Sequence, residues 1–224
     1  MVEWIVVDGQ SVDGTVAHLG EWTDVPVAWQ WHSEADRGIY DAMNRGMGRS
    51  KGRWVLFLNA GDLLFAPSSL GRLCRSLEGA EPHDVLMAAA SRSYPDGSTR
   101  LRRPMPAAYL LHGLPAIHQA IIYPRSAGLI GGYDPWYRVA GDYAFTASLW
   151  QQGLRFRRLP FTLASFQIGG LSLTNLTALD EEADRVQREV LGLPAPWRLL
   201  SRSIRQLSHA RVLGRYREAT SYDG

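Results

Sequence analysis

The 224-residue sequence contains 46% hydrophobic and 21% charged residues, as expected for a globular protein, and its length suits one domain with at most an appended tail. The formal net charge is +2, and the tryptophans lie within apolar patterns rather than along a basic stripe, so we expect no nucleic-acid binding. The single cysteine, Cys74, excludes an internal disulfide framework and fits a reducing, cytoplasmic compartment. No apolar run reaches the roughly 18 residues that a membrane-spanning helix needs.

The chain begins with a strand pattern followed by a polar turn. Glu3 to Val7 predicts a buried strand, with Asp8 in its exit turn. Asp13 follows at a position where a short oxygen-bearing side chain can accept hydrogen bonds from the first N–H groups of a helix. Val25 to Trp31 predicts a second strand, after which residues 33–36 lead into another helix.

The next segment combines a helix, a strand and an acidic turn. Within residues 38–50 the apolar side chains recur at the spacing of one helix face, at Ile39, Ala42, Met43 and Met47. Residues 54–58 are a short continuous apolar run, which predicts a parallel strand buried on both faces. The chain then turns polar at residues 59–62. Because ligands bind outside the carboxyl ends of strands in open α/β sheets, the Asp62 carboxylate is well placed to hold Mg²⁺ or Mn²⁺, cations that prefer oxygen ligands.

Two motifs in this part of the chain carry a resemblance to a known family. Residues 5–15, IVVDGQSVDGT, are similar to the motif VVDGxSxDGT of the family-2 glycosyltransferases of the GT-A fold. Residues 34–44, EADRGIYDAMN, followed by a strand that ends in Asn-x-Gly-Asp, resemble the bacterial branch that builds extracellular and capsular polysaccharides of the colanic-acid type. Both motifs stand in the family's order and spacing, and the resemblance covers roughly residues 3–190.

The resemblance implies an α/β fold with a Rossmann-like, mostly parallel sheet flanked by helices and a small antiparallel element on the acceptor side. The hairpin signal at Tyr94–Ser98 fits that element. In the family, a further strand–helix unit of roughly 30 residues precedes the segment that begins at Glu3. Since the strand of that unit lies inside the family's sheet, we expect an N-terminally truncated domain over residues 1–193, with a gap or a new pairing in its sheet.

The resemblance also implies a donor site for a nucleotide sugar above the first strands. Asp8 is expected to contact the base or ribose, and Asp36 and Arg37 the diphosphate and the sugar, since a guanidinium offers phosphate a planar fork of donors. Asp13 either caps the following helix or contacts the ligand, and Arg37 is equally open to a plain surface ion pair. Asn44 either points toward the site and orders it or lies on a solvated helix face.

His118 and Asp142 are the candidate residues further along the chain. His118 lies in residues 115–120, PAIHQA, which are similar to a segment of the same branch, and it contacts the diphosphate, the metal or the acceptor unless its role is structural. Asp142 opens a predicted helix where the resembled family places its catalytic base. An inverting transfer needs one carboxylate that takes the proton of the attacking hydroxyl, although Asp142 could instead only favour the amino end of its helix. Gly141 stands where many relatives have Glu or Ser.

The last part of the chain predicts a strand, a loop and two helices. Residues 161–166 have a strand pattern, and residues 169–172 form a candidate lid over the nucleotide. Residues 180–191 are predicted to be helical, and the prolines of residues 194–196 to end that helix. Residues 194–224 form a tail with a basic amphipathic helix, which either makes a peripheral contact with an anionic membrane surface or docks on the domain with its basic face in water.

These expectations combine into the metal-assisted, inverting transfer of a sugar from a nucleotide-diphosphate sugar to a saccharide or lipid-linked acceptor in polysaccharide biosynthesis. Asp142 is the expected base, and Asp62 the expected ligand of Mn²⁺ or Mg²⁺. We expect a cytoplasmic protein, or one held peripherally at the inner face of the membrane. The alternative is a non-catalytic protein that keeps the fold but lacks the nucleotide cradle, because the first strand is missing.

Overall fold

The computed structural model describes residues 1–129, 131–169 and 175–220. The strands in this part of the chain are β1 (Glu3–Asp8), β2 (Ala28–Ser33), β3 (Trp54–Leu56), β4 (Leu63–Leu64), β5 (Asp84–Ser93), β6 (Thr99–Arg102), β7 (Ile121–Pro124) and β8 (Arg155–Gln167). The α-helices are α1 (Thr15–Glu21), α2 (Ile39–Arg49), α3 (Ser69–Glu78), α4 (Ser126–Leu129), α5 (Gly141–Gln151), α6 (Leu176–Arg185) and α7 (Ala195–Thr220). Shorter helical turns cover Ala107–Leu111, His118–Ala120 and Val186–Val190.

The strands form two sheets rather than one. β1 and β2 pair in parallel, from Glu3 opposite Ala28 to Asp8 opposite Ser33. The other strands follow the order β3-β7-β5-β8-β4, with β6 paired to β5. Among the described strands, β1 pairs only with β2 and β3 only with β7, so the sheet is interrupted between β1 and β3. An interrupted sheet is one of the two outcomes expected from the sequence.

A carboxylate spans the interruption. Glu3 Oε1 accepts hydrogen bonds from the backbone N–H groups of Lys51 and Gly52, each over 2.6 Å, just before β3 begins. α2 also packs on β1, where a Cβ built at Gly46 would lie 3.5 Å from a methyl group of Val7. The β1–β2 pair has a small aromatic cluster of its own, whose ring centroids lie 5.0 to 5.4 Å apart, formed by Trp4, Trp22 and Trp29. The first two strands are therefore tied to the larger sheet by side chains rather than by backbone pairing.

The larger sheet is mixed, in contrast to the mostly parallel sheet expected from the sequence. β3 and β5 run antiparallel to β7, β4 runs antiparallel to β8, and β6 runs antiparallel to β5, whereas β5 and β8 are parallel. The prediction of a parallel strand over residues 54–58 is wrong, since β3 is antiparallel, ends at Leu56 and is only partly buried. Phe57 instead stacks on the ring of His118, with centroids 5.6 Å apart. An apolar run predicts burial but carries no information on strand direction.

Two local predictions are confirmed. The turn at Tyr94–Ser98 joins β5 to antiparallel β6, with Tyr94 N donating to Ser98 O over 2.9 Å and Gly97 at a φ of 77° that suits glycine. The helix predicted between Gly38 and Ser50 is α2. Met43 and Met47 of its predicted apolar face are buried, together with Tyr40, whereas Ile39 is 43% exposed.

β5 lies inside the larger sheet and is buried on both faces. Val85 and Met87 point into a cluster shared with α2 and α5, whereas Leu86 and Ala88 point into a second cluster that contains Leu73 of α3. This alternation follows the two-residue period of a strand. The first cluster extends to the loop between α4 and α5, so it packs beneath the polar residues described below.

The C-terminal helices are arranged as the proline pattern predicts. α6 and the helical turn that follows it end before Gly192, which has a φ of 64°, and α7 begins at Ala195. α7 contacts the preceding domain through polar side chains, including an Arg205–Asp180 ion pair of 3.4 Å. None of the helices within the described residues is long and apolar enough to cross a bilayer. The candidate lid at residues 169–172 lies, except for Gly169, outside the described residues.

Candidate active site

Asp8 and Asp36 lie together at the carboxyl end of β1. Asp8 Oδ2 accepts hydrogen bonds from Ser11 N over 3.0 Å and from Ser33 Oγ over 2.6 Å. Hydrogen bonds from Ser11 and Ser33 lower the pKa of the Asp8 carboxyl, so it is ionised at neutral pH. A Cβ built at Gly9 would lie 2.7 Å from Oδ2 of Asp36, so a side chain at this position would displace that carboxylate. β1 thus ends in two carboxylates that share one rim.

Asp13 lies on an exposed turn before α1. Its Oδ1 accepts hydrogen bonds from Thr15 N over 3.1 Å and from Thr15 Oγ1 over 2.7 Å. These bonds lower the pKa of the Asp13 carboxyl and satisfy backbone and side-chain donors where α1 begins. The geometry therefore favours the capping role of Asp13 over ligand contact.

Arg37 is partly engaged in an ion pair at the start of α2. Its guanidinium lies 3.3 Å from Asp41 Oδ1, while Arg45 binds the other oxygen of the same carboxylate over 3.0 Å. The Arg37 side chain is nevertheless 75% exposed, and an ion pair with such an exposed partner contributes little to stability. The surface ion pair expected as an alternative is present, and the guanidinium stays accessible to a phosphate.

Asn44 points into the protein and holds the loop before α5. Its Nδ2 donates to Tyr133 O over 2.7 Å, and its Oδ1 accepts from Tyr133 N over 2.8 Å. A Cβ built at Gly132 would lie 2.5 Å from Asn44 Oδ1, and Gly132 has a φ of 63°, so the close approach requires glycine there. The Asn44 side chain therefore binds the backbone of the loop before α5 and does not lie on a solvated helix face.

His118 is buried beside the same tyrosine. Its Nε2 lies 2.8 Å from Tyr133 Oη, and its ring stacks on Phe57. Burial lowers the pKa of His118 to about 4, so the imidazole is neutral at physiological pH. A neutral, buried imidazole offers no positive charge to a diphosphate. The structural role left open by the sequence is the one that this geometry favours.

Asp62 stands in the turn between β3 and β4. Its Oδ2 accepts hydrogen bonds from Asn59 N over 2.9 Å and from Gln119 Nε2 over 2.8 Å. Partial burial raises the pKa of the Asp62 carboxyl, against these two bonds. Both hydrogen bonds fall on Oδ2, so they orient the carboxylate, and Oδ1 takes part in neither bond.

Within the described residues, no group of three or more acidic, histidine or cysteine side chains could hold a metal ion.

The fit to a divalent cation is therefore limited to one carboxylate. Mg²⁺ commonly binds through one or two protein carboxylates and completes its octahedron with water and substrate phosphates. The donor set at Asp62 fits that pattern and does not fit an all-protein cation cage.

Asp142 is the second residue of α5. Its Oδ1 accepts a hydrogen bond from Tyr143 N over 2.8 Å. Burial raises the pKa of the Asp142 carboxyl to about 6, and hydrogen bonds from the backbone oppose this shift only in part. The hydroxyl of Tyr40 donates to Val139 O over 2.9 Å, so the Tyr40 ring covers the start of α5. A carboxylate with this pKa is ionised at pH 7 and close to the range in which a general base works best.

Glu182 is a buried acid of α6 that the sequence analysis missed. Its carboxylate accepts hydrogen bonds from the backbone N–H groups of three successive residues, over 2.9, 2.9 and 2.7 Å, at Arg138, Val139 and Ala140. These residues lead directly into α5, so Glu182 fixes the backbone that carries Asp142. The available sequence signal was an acidic residue among the apolar positions of a helix, beside Leu179, Ala183 and Val186.

Tyr133 connects these separate contacts. Its ring stacks on Tyr40 with centroids 5.5 Å apart, its hydroxyl contacts His118, and its backbone binds Asn44. The residue after His118 is Gln119, which binds Asp62. The structure therefore brings His118, Asn44 and the flanks of Asp62 and Asp142 into one connected network, whereas Asp13 stays outside it.

A groove of about 620 Å³ lies between the start of α2, the loop before α5 and α6. Its walls combine cationic, acidic and aromatic side chains: Arg37, Trp136, Arg138, Glu181, Glu182, Arg185 and Arg188. The Arg185 guanidinium lies 3.6 Å from the centroid of the Trp136 ring. A second depression, of about 650 Å³, lies between the end of α3 and β8 and contains none of the predicted site residues.

The chain is similar to known glycosyltransferases in sequence. The family model described as "Glycosyl transferase family 2" matches residues 2–140. A PGL/p-HBAD biosynthesis glycosyltransferase of Mycobacterium bovis is 34% identical over 187 residues, which cover 77% of this chain and 68% of that protein. An uncharacterised glycosyltransferase of Mycobacterium tuberculosis is 34% identical over 148 residues, which cover 64% of this chain and 55% of that protein.

Solved structures share the fold. Residues 1–349 of S. aureus TarS, in complex with UDP-GlcNAc, superimpose with a TM-score of 0.62 at 14% identity, over 88% of this chain and 60% of that one. The mannosyltransferase PcManGT from Pyrobaculum calidifontis, in complex with GDP-Man and Mn²⁺, gives a TM-score of 0.59 at 17% identity, over 98% of this chain and 73% of that one. The likeness confirms the expected α/β fold of the GT-A type, and this chain spans about 60% of the length of the structures of TarS residues 1–349. The chain belongs to glycosyl transferase family 2, as its two motifs indicate.

Proposed function

We propose that this chain transfers a sugar, with inversion, from a nucleotide-diphosphate sugar to a hydroxyl of a saccharide or lipid-linked acceptor in polysaccharide biosynthesis. The observation that carries the proposal is Asp142. Its carboxylate stands at the amino end of α5 with a pKa raised to about 6 by burial, in the network that also reaches the strand end with Asp62. The complexes of TarS with UDP-GlcNAc and of PcManGT with GDP-Man support a nucleotide-sugar donor.

Asp142 acts as the general base in this proposal. Its carboxylate accepts the proton of the acceptor hydroxyl while the hydroxyl oxygen forms its bond to the anomeric carbon and the diphosphate departs. Glu182 and Tyr40 keep the start of α5 in place, because both bind backbone groups of the residues just before Asp142. A base held this way loses little orientational freedom during the reaction.

The donor lies along the rim formed by β1 and the start of α2. The ionised Asp8 accepts hydrogen bonds from the base or ribose, and Asp36 from hydroxyls of the donor. The exposed guanidinium of Arg37 binds the diphosphate through its planar fork of donors. Asn44 and His118 do not touch the donor in this arrangement and instead hold the loop that contains Tyr133.

Asp62 would hold Mn²⁺ or Mg²⁺ through the oxygen that takes part in neither the Asn59 nor the Gln119 hydrogen bond, together with oxygens of the donor's phosphates. When bound, the cation neutralises the negative charge that builds on the leaving diphosphate. PcManGT in complex with GDP-Man and Mn²⁺ supports a role for a divalent cation. With one protein carboxylate, the cation should bind weakly in the absence of nucleotide.

Calorimetric titration of UDP and GDP, each with and without Mn²⁺, tests the donor site. Binding should require Mn²⁺, disappear in Asp62→Asn, and persist in Asp142→Asn, which should lose turnover instead. Asp96→Asn, in the exposed hairpin turn, is the matched control for removal of a carboxylate and should bind as the unchanged protein does. Absence of nucleotide binding in the unchanged protein would overturn the proposal.

The second candidate is a non-catalytic protein that keeps the fold. The interruption of the sheet between β1 and β3 favours it, because Asp8 and Asp36 lie at the end of β1 and just after β2 of the smaller sheet, whereas Asp62 lies between two strands of the larger one. The same titration decides between the two candidates, since a non-catalytic chain binds neither nucleotide under any of the four conditions.

A further inference from the structure

The C-terminal helix α7 is docked on the domain by its polar side. Ser201 is fully buried and Arg205 is 9% exposed. Arg205 binds Asp180, and Ser201 Oγ accepts a hydrogen bond from Gln187 Nε2 over 2.7 Å. Arg198 adds a 3.0 Å contact to Asp184 from the same side of the helix. Helices on globular domains usually bury an apolar stripe, so α7 is inverted relative to that pattern.

The apolar side of α7 faces solvent, except that the Trp197 ring also lies against the ring of His112 with centroids 5.4 Å apart. Its large exposed residues recur at intervals of three, four and three, which places them on one helix face: Trp197 (37% exposed), Leu200 (53%), Ile204 (43%) and Leu207 (64%). Leu199, at 66% exposure, lies beside this stripe. Single exposed apolar residues are common, but a contiguous row of them on one element marks an interaction surface.

The charge of α7 indicates which partner fits this surface. Residues 195–220 contain six arginines and a single acidic residue, Glu218. Arg198, Arg202 and Arg205 face Asp180 or Asp184, whereas Arg211 continues the exposed stripe one turn beyond Leu207 and is itself exposed. The six arginines outnumber Glu218 and the two aspartates they contact, so the surface keeps a positive charge. An apolar stripe that ends in arginine, with a tryptophan at its start, matches the chemistry of an anionic lipid surface.

We propose that α7 binds the surface of an anionic lipid bilayer through Trp197, Leu200, Ile204 and Leu207, while its Ser201–Arg205 side stays docked on the domain. The helix lies in the interface and does not span it. A second copy of the chain fits less well, because a two-fold contact through this stripe would bring the arginines of both copies together. The inference is independent of the transfer reaction, so either can fail without the other.

Co-sedimentation with lipid vesicles tests the proposal on the whole chain. The protein should bind vesicles that contain phosphatidylglycerol, bind pure phosphatidylcholine vesicles more weakly, and lose part of its binding in high salt. The double variant Leu200→Gln/Leu207→Gln should bind anionic vesicles about tenfold more weakly or worse, because two exposed leucines no longer enter the apolar layer. Leu101→Gln, on β6 and 52% exposed, is the matched control and should bind as the unchanged protein does.

Two further measurements keep the outcomes separate. Brominated lipids should quench part of the tryptophan fluorescence of the unchanged protein, and that part should be absent in Trp197→Phe. Sedimentation velocity reports the oligomeric state without lipid. Equal vesicle binding by the unchanged protein and the double variant, or no binding by either, overturns the proposal. A dimer that the double variant abolishes, together with no vesicle binding, assigns the stripe to a second copy and likewise overturns it.

Discussion

The ring of Tyr40 lies directly against the backbone of Gly141. A Cβ built at Gly141 would be 2.6 Å from Cε2 of that ring, closer than real side chains approach one another. This contact explains why position 141, just before Asp142, holds glycine. Tyr40 occupies the space that a side chain at position 141 would need.

Gly141→Ala should therefore destabilise the protein, since the new methyl group forces the Tyr40 ring or the start of α5 to move. We expect a loss of about 1 to 3 kcal/mol in the free energy of unfolding, measured by urea denaturation. Gly20→Ala, in α1 with open space around its Cα, is the control and should leave stability unchanged or slightly higher. Unchanged stability in Gly141→Ala would contradict the packing described.

The raised pKa of Asp142 links stability to pH. Its pKa lies near 3.8 in the unfolded chain and at about 6 in the folded one, so the folded state binds more protons between these values. The stability due to protonated Asp142 is complete below pH 3.8 and is lost as the pH rises through about 6. Asp142→Asn should therefore be more stable than the unchanged protein by about 3 kcal/mol at pH 7, and the difference should vanish toward pH 3.5.

Asp96→Asn provides the opposite case, since hydrogen bonds from Ser98 lower the pKa of Asp96. Its carboxylate adds stability above the ordinary pKa, so this variant should lose stability at pH 7 and recover it in acid. A difference in stability between Asp142→Asn and the unchanged protein that is the same at every pH would argue against the raised pKa.

In the transfer assay, the rate of the unchanged protein should rise with pH through about 6. The rate of Asp142→Asn should be lower by about a hundredfold or more.

Glu182 should behave as a positioning residue. Glu182→Ala removes the acceptor of three backbone N–H groups, of which those of Val139 and Ala140 belong to buried residues. Each unsatisfied buried group costs about 1 to 3 kcal/mol, so a large loss of stability is expected. The neighbouring exposed Glu181→Ala is the control. Glu182→Gln keeps an acceptor oxygen, so this variant should fold. It should shift the pH at which the transfer rate is half its maximum, and it should not abolish transfer.

Asn44→Ala should loosen the loop before α5. The change removes both hydrogen bonds to the Tyr133 backbone and leaves that N–H and C=O without their partners. We expect a loss of about 2 to 4 kcal/mol in thermal or urea unfolding, with a fall in transfer at pH 7. Asn44→Asp keeps the acceptor for Tyr133 N and should lose less. Equal stability of all three proteins would place Asn44 on the solvated face instead.

Local sequence patterns predicted several elements well because their signals span few residues. The apolar spacing between Gly38 and Ser50 specified α2, and the Pro95-Asp96-Gly97 turn specified the β5–β6 hairpin. The direction of β3 was not predictable, since it depends on pairing with β7, more than 60 residues further along the chain. An apolar run has the same appearance beside a parallel or an antiparallel neighbour.

In the candidate site, too, local features were predictable from the sequence and long-range contacts were not. Asp62 and Asp142 were identifiable one by one, because each follows a motif of the resembled family. Their connection was not, since it runs through Tyr133, whose contact with Asn44 joins residues 89 positions apart. Glu182 was missed because its role consists of backbone contacts with residues 138–140, and backbone groups leave no trace in the sequence.

The interruption between β1 and β3 affects the order in which parts of the molecule unfold locally. Among the described residues, β1 and β2 share no strand pairing with the larger sheet, so their release breaks no backbone pairing with it, although it breaks contacts with α2 and the hydrogen bonds of Glu3. Their amide hydrogens should exchange with deuterium before those of β5, which is paired on both sides. We therefore expect the strand end with Asp8 to belong to a separate cooperative unit, which also contains the cluster of Trp4, Trp22 and Trp29.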